Sequence, residues 1–307
     1  LKSNMTLYLE EGAVLLGSEN PDDYPVELYR CEGNEVLNYA SLINPCHPQD
    51  YLGRYDKAHE REIVETGGYL SGASRLHDIT IEGKGTIDAN GMALMKAEFA
   101  QKKARRGRAI SLRNVDRVYL KGITVRQSPA WCIHLSYCSD LDINGIEVHT
   151  RYDENGKLYG IVNCDGINPD SCENVNIYNC LICSGDDSIA LKSGWNEEGR
   201  EVGIPTQNVR ITNCRFKGGF GVAVGSEMAG GIRNVLVQDC EFENTYSVAS
   251  IKAPRGRGGV IENIRYEDIS FSYESTEHTD CRWFRGAIYV DQFYSYDVKD
   301  EDLTWPV

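Results

Sequence analysis

Two stretches of the chain carry acids in a pattern that could do chemistry. CSGDDSI at 183–189 sets Asp186 and Asp187 side by side between a glycine and an apolar strand, and NCDGINPD at 163–170 offers Asp165 ahead of a second such strand. Successive side chains of an extended strand point to opposite faces, so two adjacent acids put one of them at risk of facing the core. Carboxylates gathered at one place cannot all ionise cheaply, and at least one pKa rises. A proton donor beside a proton acceptor is the equipment of general acid–base chemistry. Lys192, Lys252, Arg255 and Arg257 are the basic residues in the neighbouring segments.

Whether these residues meet depends on the elements that carry them, and the chain is a repeat. Seven segments share a polar residue followed by two apolar residues one position apart: DITI, RVYL, DLDI, NVNI, NVRI, NVLV and NIRY. They begin at residues 78, 117, 140, 174, 208, 234 and 263. The alternation has the period of a strand, with Gly, Asn and Asp between strands. Only MALMKAEFAQKKARR at 92–106 offers a helical stripe. Short strands recurring every ~22–35 residues without crossover helices predict an all-β fold, a single-stranded parallel β-helix whose rungs bury inward side chains on one another. The whole of 1–307 reads as one such domain, interrupted by a Pro-, Tyr- and charge-rich insertion at about 19–75 that is too long for an ordinary loop and reads as a lid or wall.

Aligning the rungs fixes columns. Ile79, Val118, Leu141, Val175, Val209, Val235 and Ile264 form one inward column, and five residues on from the second anchor lies another: Ile123, Ile146, Cys180, Cys214, Cys240 and Ile269. Cysteine exchanging with isoleucine marks those thiols as core filler. Asn174, Asn208, Asn234 and Asn263 recur at a turn position where amides can bond their stacked copies. Matching Ile167 with Ile189 and Val222 stacks Asp165 beneath Asp187 and Phe220. Matching Val224 with Ile251 puts Gly225 under Lys252, with Lys192 one rung lower. Rungs lie about 4.8 Å apart, so three acids separated in sequence become neighbours.

Composition narrows the partners. A formal charge of −14 argues against nucleic acid, which needs a basic stripe, and no apolar run is long enough for a membrane span. Eleven cysteines at irregular spacing are not a disulfide framework, and the CLIC at 180–183 lacks a second pair at zinc-ribbon spacing, so no metal site is expected. The chain starts at LKSNMTLYLEEGAVLLG and stops at DEDLTWPV, both of which read as cuts into a longer protein. The lack of a leader and the free-looking cysteines lean toward a bacterial cytoplasmic location, with secreted and periplasmic locations still open. Oligomeric state is not legible.

The ordered set NCDGIN at 163–168, SGDDSIALKSG at 184–194, GVAVGSEMAGGIRNV at 221–235 and SIKAPRGRGGVIENI at 250–264 resembles glycoside hydrolase family 28, the polygalacturonases and their relatives, and looks closest to its bacterial branch. ITIEGKGTIDANG at 79–91 and the opening residues extend the likeness over nearly the whole chain. The resemblance implies a right-handed parallel β-helix that hydrolyses pectic, galacturonate-containing glycans with inversion, without metal or cofactor. It carries the three catalytic aspartates onto Asp165, Asp186 and Asp187. Asp186 would protonate the glycosidic oxygen while Asp165 and Asp187 hold and deprotonate water. Lys252, Lys192, Arg255, Arg257 and Phe220 are the expected substrate contacts.

Two positions depart from the family pattern. Where the family carries Gly-His-Gly this chain has KGGFG, with Phe220 or Gly219 at the histidine, and where it carries Arg-Ile-Lys this chain has Ser250-Ile251-Lys252. A lone Lys is a point charge, whereas Arg grips a carboxylate with two parallel bonds. The expectation is therefore a subsite holding a different or differently oriented sugar, with Arg255 as a substitute cation and Phe220 either a platform for a sugar face or a turn residue. Exo action is expected if the 19–75 insertion walls one end of the groove. A rhamnogalacturonan or branched-pectin substrate, a degenerate carbohydrate-binding β-helix and a polysaccharide lyase are the competing readings.

Overall fold

The structure, a computed structural model, describes residues 1–44, 76–101, 104–153, 155–274 and 283–294. Its strands coil into a right-handed parallel β-helix with three faces. A representative rung runs Glu173–Tyr178 on the first face, Leu181–Cys183 on the second and Ile189–Leu191 on the third. The first two faces are joined by continuous strands such as Ile232–Glu243, which pairs with both Thr206–Thr212 and Arg215–Lys217. Strands inside the coil pair with their copies in the rungs above and below, so the backbone donors and acceptors of an inner rung are satisfied by its neighbours.

The predicted inward column is present in register: Ile79 opposes Val118, and the pairing continues through Leu141, Val175, Val209 and Val235 to Ile264. The pattern extends one rung further than the sequence reading took it, because Met5 opposes Ile79. From Ile79 to Val235 the column is 0–2% exposed, and side chains so buried contribute about 1.5–3 kcal/mol each. Cys180, Cys214 and Cys240 are buried in the second column as free thiols.

The turn asparagines do more than cap. Asn174, Asn208, Asn234 and Asn263 all sit at φ of 54–57°, the left-handed region that asparagine tolerates better than most residues. Their side-chain amides form a ladder: Asn208 donates to Asn174 at 3.1 Å, Asn234 to Asn208 at 3.2 Å and Asn263 to Asn234 at 3.1 Å. A second ladder, not anticipated, runs from Asn213 to Asn179 to Asn144 at the next corner.

Part of the 19–75 insertion is an antiparallel hairpin, Val26–Cys31 with Asn34–Tyr39; residues 45–75 lie outside the described residues. The helical stripe at 92–106 is a helix only over Met92–Gln101, and by Arg105 the chain is extended beside the hairpin, bridging to Asn38. Among the described residues no helix is long and apolar enough to cross a membrane.

Candidate active site

The third face presents its outer side chains in columns, and the register matches the alignment read from sequence: Ile167 opposes Ile189, Ile189 opposes Val222, and Gly225 opposes Lys252. Asp165, Asp186 and Asp187 lie in the turns that lead into these strands. The Gly166 amide donates to the Asp187 carbonyl at 2.9 Å, so the two acid-bearing turns are stacked neighbours.

The three carboxyls are held differently. The Lys252 ammonium grips both oxygens of Asp187, at 2.9 and 2.6 Å. Lys192 reaches Asp165 at 4.0 Å and Glu227 at 3.0 Å. Asp186 forms no ion pair among the described residues; its Oδ1 accepts only the Asp187 amide, at 3.0 Å. Asp165 and Asp187 are each 3% exposed, while Asp186 is the most open of the three.

The electrostatics follow from this unequal pairing. Burial and the charge of Asp186 push the Asp165 carboxyl well above the usual range, against the pull of Lys192. Burial and the charge of Asp187 raise Asp186. Burial opposes the charge of Lys192, but Glu227 and Asp165 outweigh it; burial opposes the charge of Lys252, and Asp187 outweighs it in turn, so both ammoniums are firmly held. The lysines are 4% and 6% exposed, and buried charges of that kind persist only when paired. The arrangement sets an accessible acid of raised pKa beside Asp187 held by Lys252 and Asp165 near Lys192, a grouping suited to proton donation on one side of a bond and activation of water on the other.

Phe220 is half-buried at the edge of the site, its ring centroid 5.1 Å from Tyr246 and 5.7 Å from the Lys252 ammonium. Gly219 before it has φ 63°, and a Cβ there would collide with the Asp186 carbonyl oxygen. Gly221 after it also has φ 63°. Gly219-Phe220-Gly221 thus turns tightly against the backbone of Asp186.

The two arginines sit apart from the acids. Arg255 is exposed, its guanidinium 5.4 Å from the Phe293 ring. Arg257 is buried against Trp195, 3.4 Å from its ring centroid, and donates to the Ser226 carbonyl at 3.1 Å; burial lowers its pKa to about 10. Ser250, at the family's Arg position, is buried and shares a 2.7 Å hydrogen bond with Ser247.

Several neighbours of the site were not read from sequence. Glu227 is the counter-ion of Lys192, Trp131 lies under that lysine with its centroid 4.4 Å from the ammonium, and Tyr294 is 5.2 Å from that of Lys252. The hairpin is the largest omission. Arg30 on it bonds Asp170 at 2.9 Å, Cys31 accepts from Arg108 at 3.2 Å, and Glu32 pairs with Arg105 at 3.2 Å. At the tip, Gly33 packs so tightly that a Cβ would lie 2.6 Å from that of Trp195. Outward residues beneath it, including His134, Ser136 and Asp170, are 1–2% exposed. The hairpin covers the outer face beside Asp170 and reaches Trp195 one rung further along.

Known proteins share this frame. A family model described as glycosyl hydrolases family 28 matches residues 59–276. A probable polygalacturonase of Vitis vinifera is 32% identical over 268 residues, covering 86% of this chain and 48% of its own length. An exo-poly-alpha-D-galacturonosidase of Dickeya chrysanthemi is 24% identical over 351 residues, covering 98% of this chain and 54% of its own. Among solved structures, a family 28 exopolygalacturonase of Yersinia enterocolitica aligns with a TM-score of 0.70 at 23% identity, covering 97% of this chain and 58% of that one. The chain thus spans about half the length of the relatives it matches.

Proposed function

The chain belongs to glycosyl hydrolase family 28, and from that premise we propose that it hydrolyses galacturonate-containing pectic glycans with inversion, acting from a chain end. The observation that carries the reading is the unequal bracing of three carboxyls: Lys252 holds Asp187, Lys192 lies beside Asp165, and the raised, accessible Asp186 is left unpaired. In this reading Asp186 gives its proton to the glycosidic oxygen as the bond breaks, and water held between Asp165 and Asp187 attacks the opposite face of the sugar and loses a proton to them.

The hairpin over Asp170 and Trp195 is the element that would stop a long glycan at one end of the groove. The relatives named exo-acting are consistent with it. Placement in the bacterial branch is supported by the near-complete alignment to the Dickeya protein, while the Vitis protein has the higher identity. A second reading, a substrate carrying a different sugar beside Phe220, is favoured by one observation: Ser250 supplies no cation there and Lys252 is taken up by Asp187.

The test is product analysis on homogalacturonan and rhamnogalacturonan, each as polymer and as defined oligosaccharides. Early release of short saturated products from homogalacturonan, with the polymer shortening slowly, is expected. Unsaturated products would point to a lyase, and no products from any substrate to a binding module.

A further inference from the structure

The turns that enter the third face change character beyond the acids. The Phe220 amide donates to the Asp186 carbonyl at 3.1 Å, that of Tyr246 to the Gly219 carbonyl at 2.7 Å, and that of Arg285 to the Tyr246 carbonyl at 2.8 Å. Three further turns therefore stack in order on the one that carries Asp186 and Asp187. The acid-bearing turns present carboxyls, and these present rings: Phe220, Tyr246 and, close to Arg285, Trp283.

The rings are arranged as one surface. Tyr246 is buried 5.1 Å from the Phe220 centroid, and its hydroxyl accepts from Arg151 at 3.2 Å. Trp283 stands edge-on to Phe220 at 6.4 Å and is 50% exposed. Half-exposed rings beside a reactive site offer the flat apolar contact that the C–H face of a pyranose fills.

Charge is scarce at that surface. The Lys252 ammonium bonds both oxygens of Asp187 and otherwise lies near rings, 5.7 Å from Phe220 and 5.2 Å from Tyr294. Ser250 brings no charge and is bonded to Ser247. Arg255 and Arg285 are exposed, each lying against a ring, and water screens any pair they form. The face of an aromatic ring carries negative potential, so a carboxylate laid on Phe220 loses hydration without gaining a close partner.

We infer that Phe220 and Trp283 determine specificity for the sugar on this side of the acids and select one whose C6 bears no charge, either the methyl ester of a uronate or a 6-deoxyhexose. This rests on the hydrolase reading for the ligand being a pectic sugar. The sugar's C–H face lies on Phe220 and its apolar C6 substituent meets Trp283. Charge is then read elsewhere along the glycan, and this position rejects it.

The test is calorimetric binding of galacturonate, its methyl ester and rhamnose, none of which has a bond to cleave, to wild type, Phe220→Ala and Trp283→Ala. Wild type is expected to bind the ester, rhamnose or both about tenfold more tightly than galacturonate, and which of them gains identifies the sugar that fits. Both variants should lose most of that preference. Trp283→Ala, which removes an exposed ring, serves alone if circular dichroism shows that Phe220→Ala does not fold. Equal or tighter binding of galacturonate by wild type, or a preference unchanged in the folded variants, would overturn the inference. A wild type that discriminates yet cleaves no pectic glycan, esterified or not, would support the aromatic surface and defeat the hydrolase reading instead.

Discussion

Asp165 and Asp170 flank one strand of the third face five residues apart, and the protein treats them in opposite ways. Asp170 lies under the hairpin, bonded by Arg30 at 2.9 Å and facing His134 at 3.3 Å. Burial works against its charge, but Arg30 and His134 outweigh it and hold the carboxyl well below the usual range; burial lowers the pKa of His134 itself. Asp165, equally buried, has Lys192 only at 4.0 Å and two other acids beside it, and its carboxyl is pushed up. The same face holds one buried carboxylate in a close ion-paired clamp and gathers three less compensated carboxyls, the candidate reactive groups, in the other half. What separates the halves is compensation: the clamp supplies a close cation for its acid, while the reactive half has three acids against two lysines, one of them shared with Glu227.

Four substitutions press on that difference. The largest effect is expected from Asp186→Asn, which removes the unpaired proton donor: kcat on the responsive substrate should fall by about 10²–10⁴-fold with the thermal unfolding midpoint little changed. A loss below tenfold would remove Asp186 from the role of acid. On the clamp side, Arg30→Met leaves Asp170 buried without its cation and should cost about 3–5 kcal/mol in urea unfolding, with most of it recovered by adding Asp170→Asn. The single variant should also loosen the hairpin and lengthen the products released.

The third test is pH. A carboxyl raised in the folded state binds more protons folded than unfolded, so its contribution to stability is complete below the unfolded value of about 3.9 and is lost as pH rises through the folded value. Asp165→Asn should therefore flatten the decline in stability above pH about 4, a slope of up to about 1.4 kcal/mol per pH unit for one group. Asp170 has the opposite sign: its contribution is present above the unfolded value and disappears as pH falls below it, so Asp170→Asn should flatten the acid side. Urea midpoints across the acid-to-neutral range distinguish the two. If both variants changed the same side, the contrast between the halves would be wrong. The smallest effect is structural and belongs to neither half: Asn208→Ala breaks the ladder at φ 56° and should cost about 1–2 kcal/mol, with kcat unaltered.

Much of this was legible in the chain because a solenoid writes its tertiary register into its sequence period. Ile79 to Ile264 could be aligned by eye, and the alignment carried Asp165, Asp187 and Lys252 to one place. What the period could not carry was anything outside it. The hairpin pairs with itself and with the chain at Arg105 and then docks on distant rungs, so nothing local links Arg30 to Asp170 or Gly33 to Trp195. Arg105 and Arg106 fell inside the helical stripe read at 92–106, which is helix only as far as Gln101, and Arg108 carried no signal of its own. Glu227 lies two residues beyond the end of strand Val222–Gly225, outside the alternation that marks the columns. Arg255 and Arg257 show the converse: proximity in sequence to Lys252 did not make them neighbours of the acids, because the chain turns after Pro254 and sends one to Phe293 and the other to Trp195.

The most direct measurement is proton NMR of a galacturonate trisaccharide during hydrolysis, wild type beside Asp186→Asn. The account predicts that wild type releases a saturated product whose first-formed anomer is inverted relative to the bond cleaved, and that the variant releases essentially none on the same timescale. Retention of configuration, an unsaturated product, or comparable release by Asp186→Asn would contradict it.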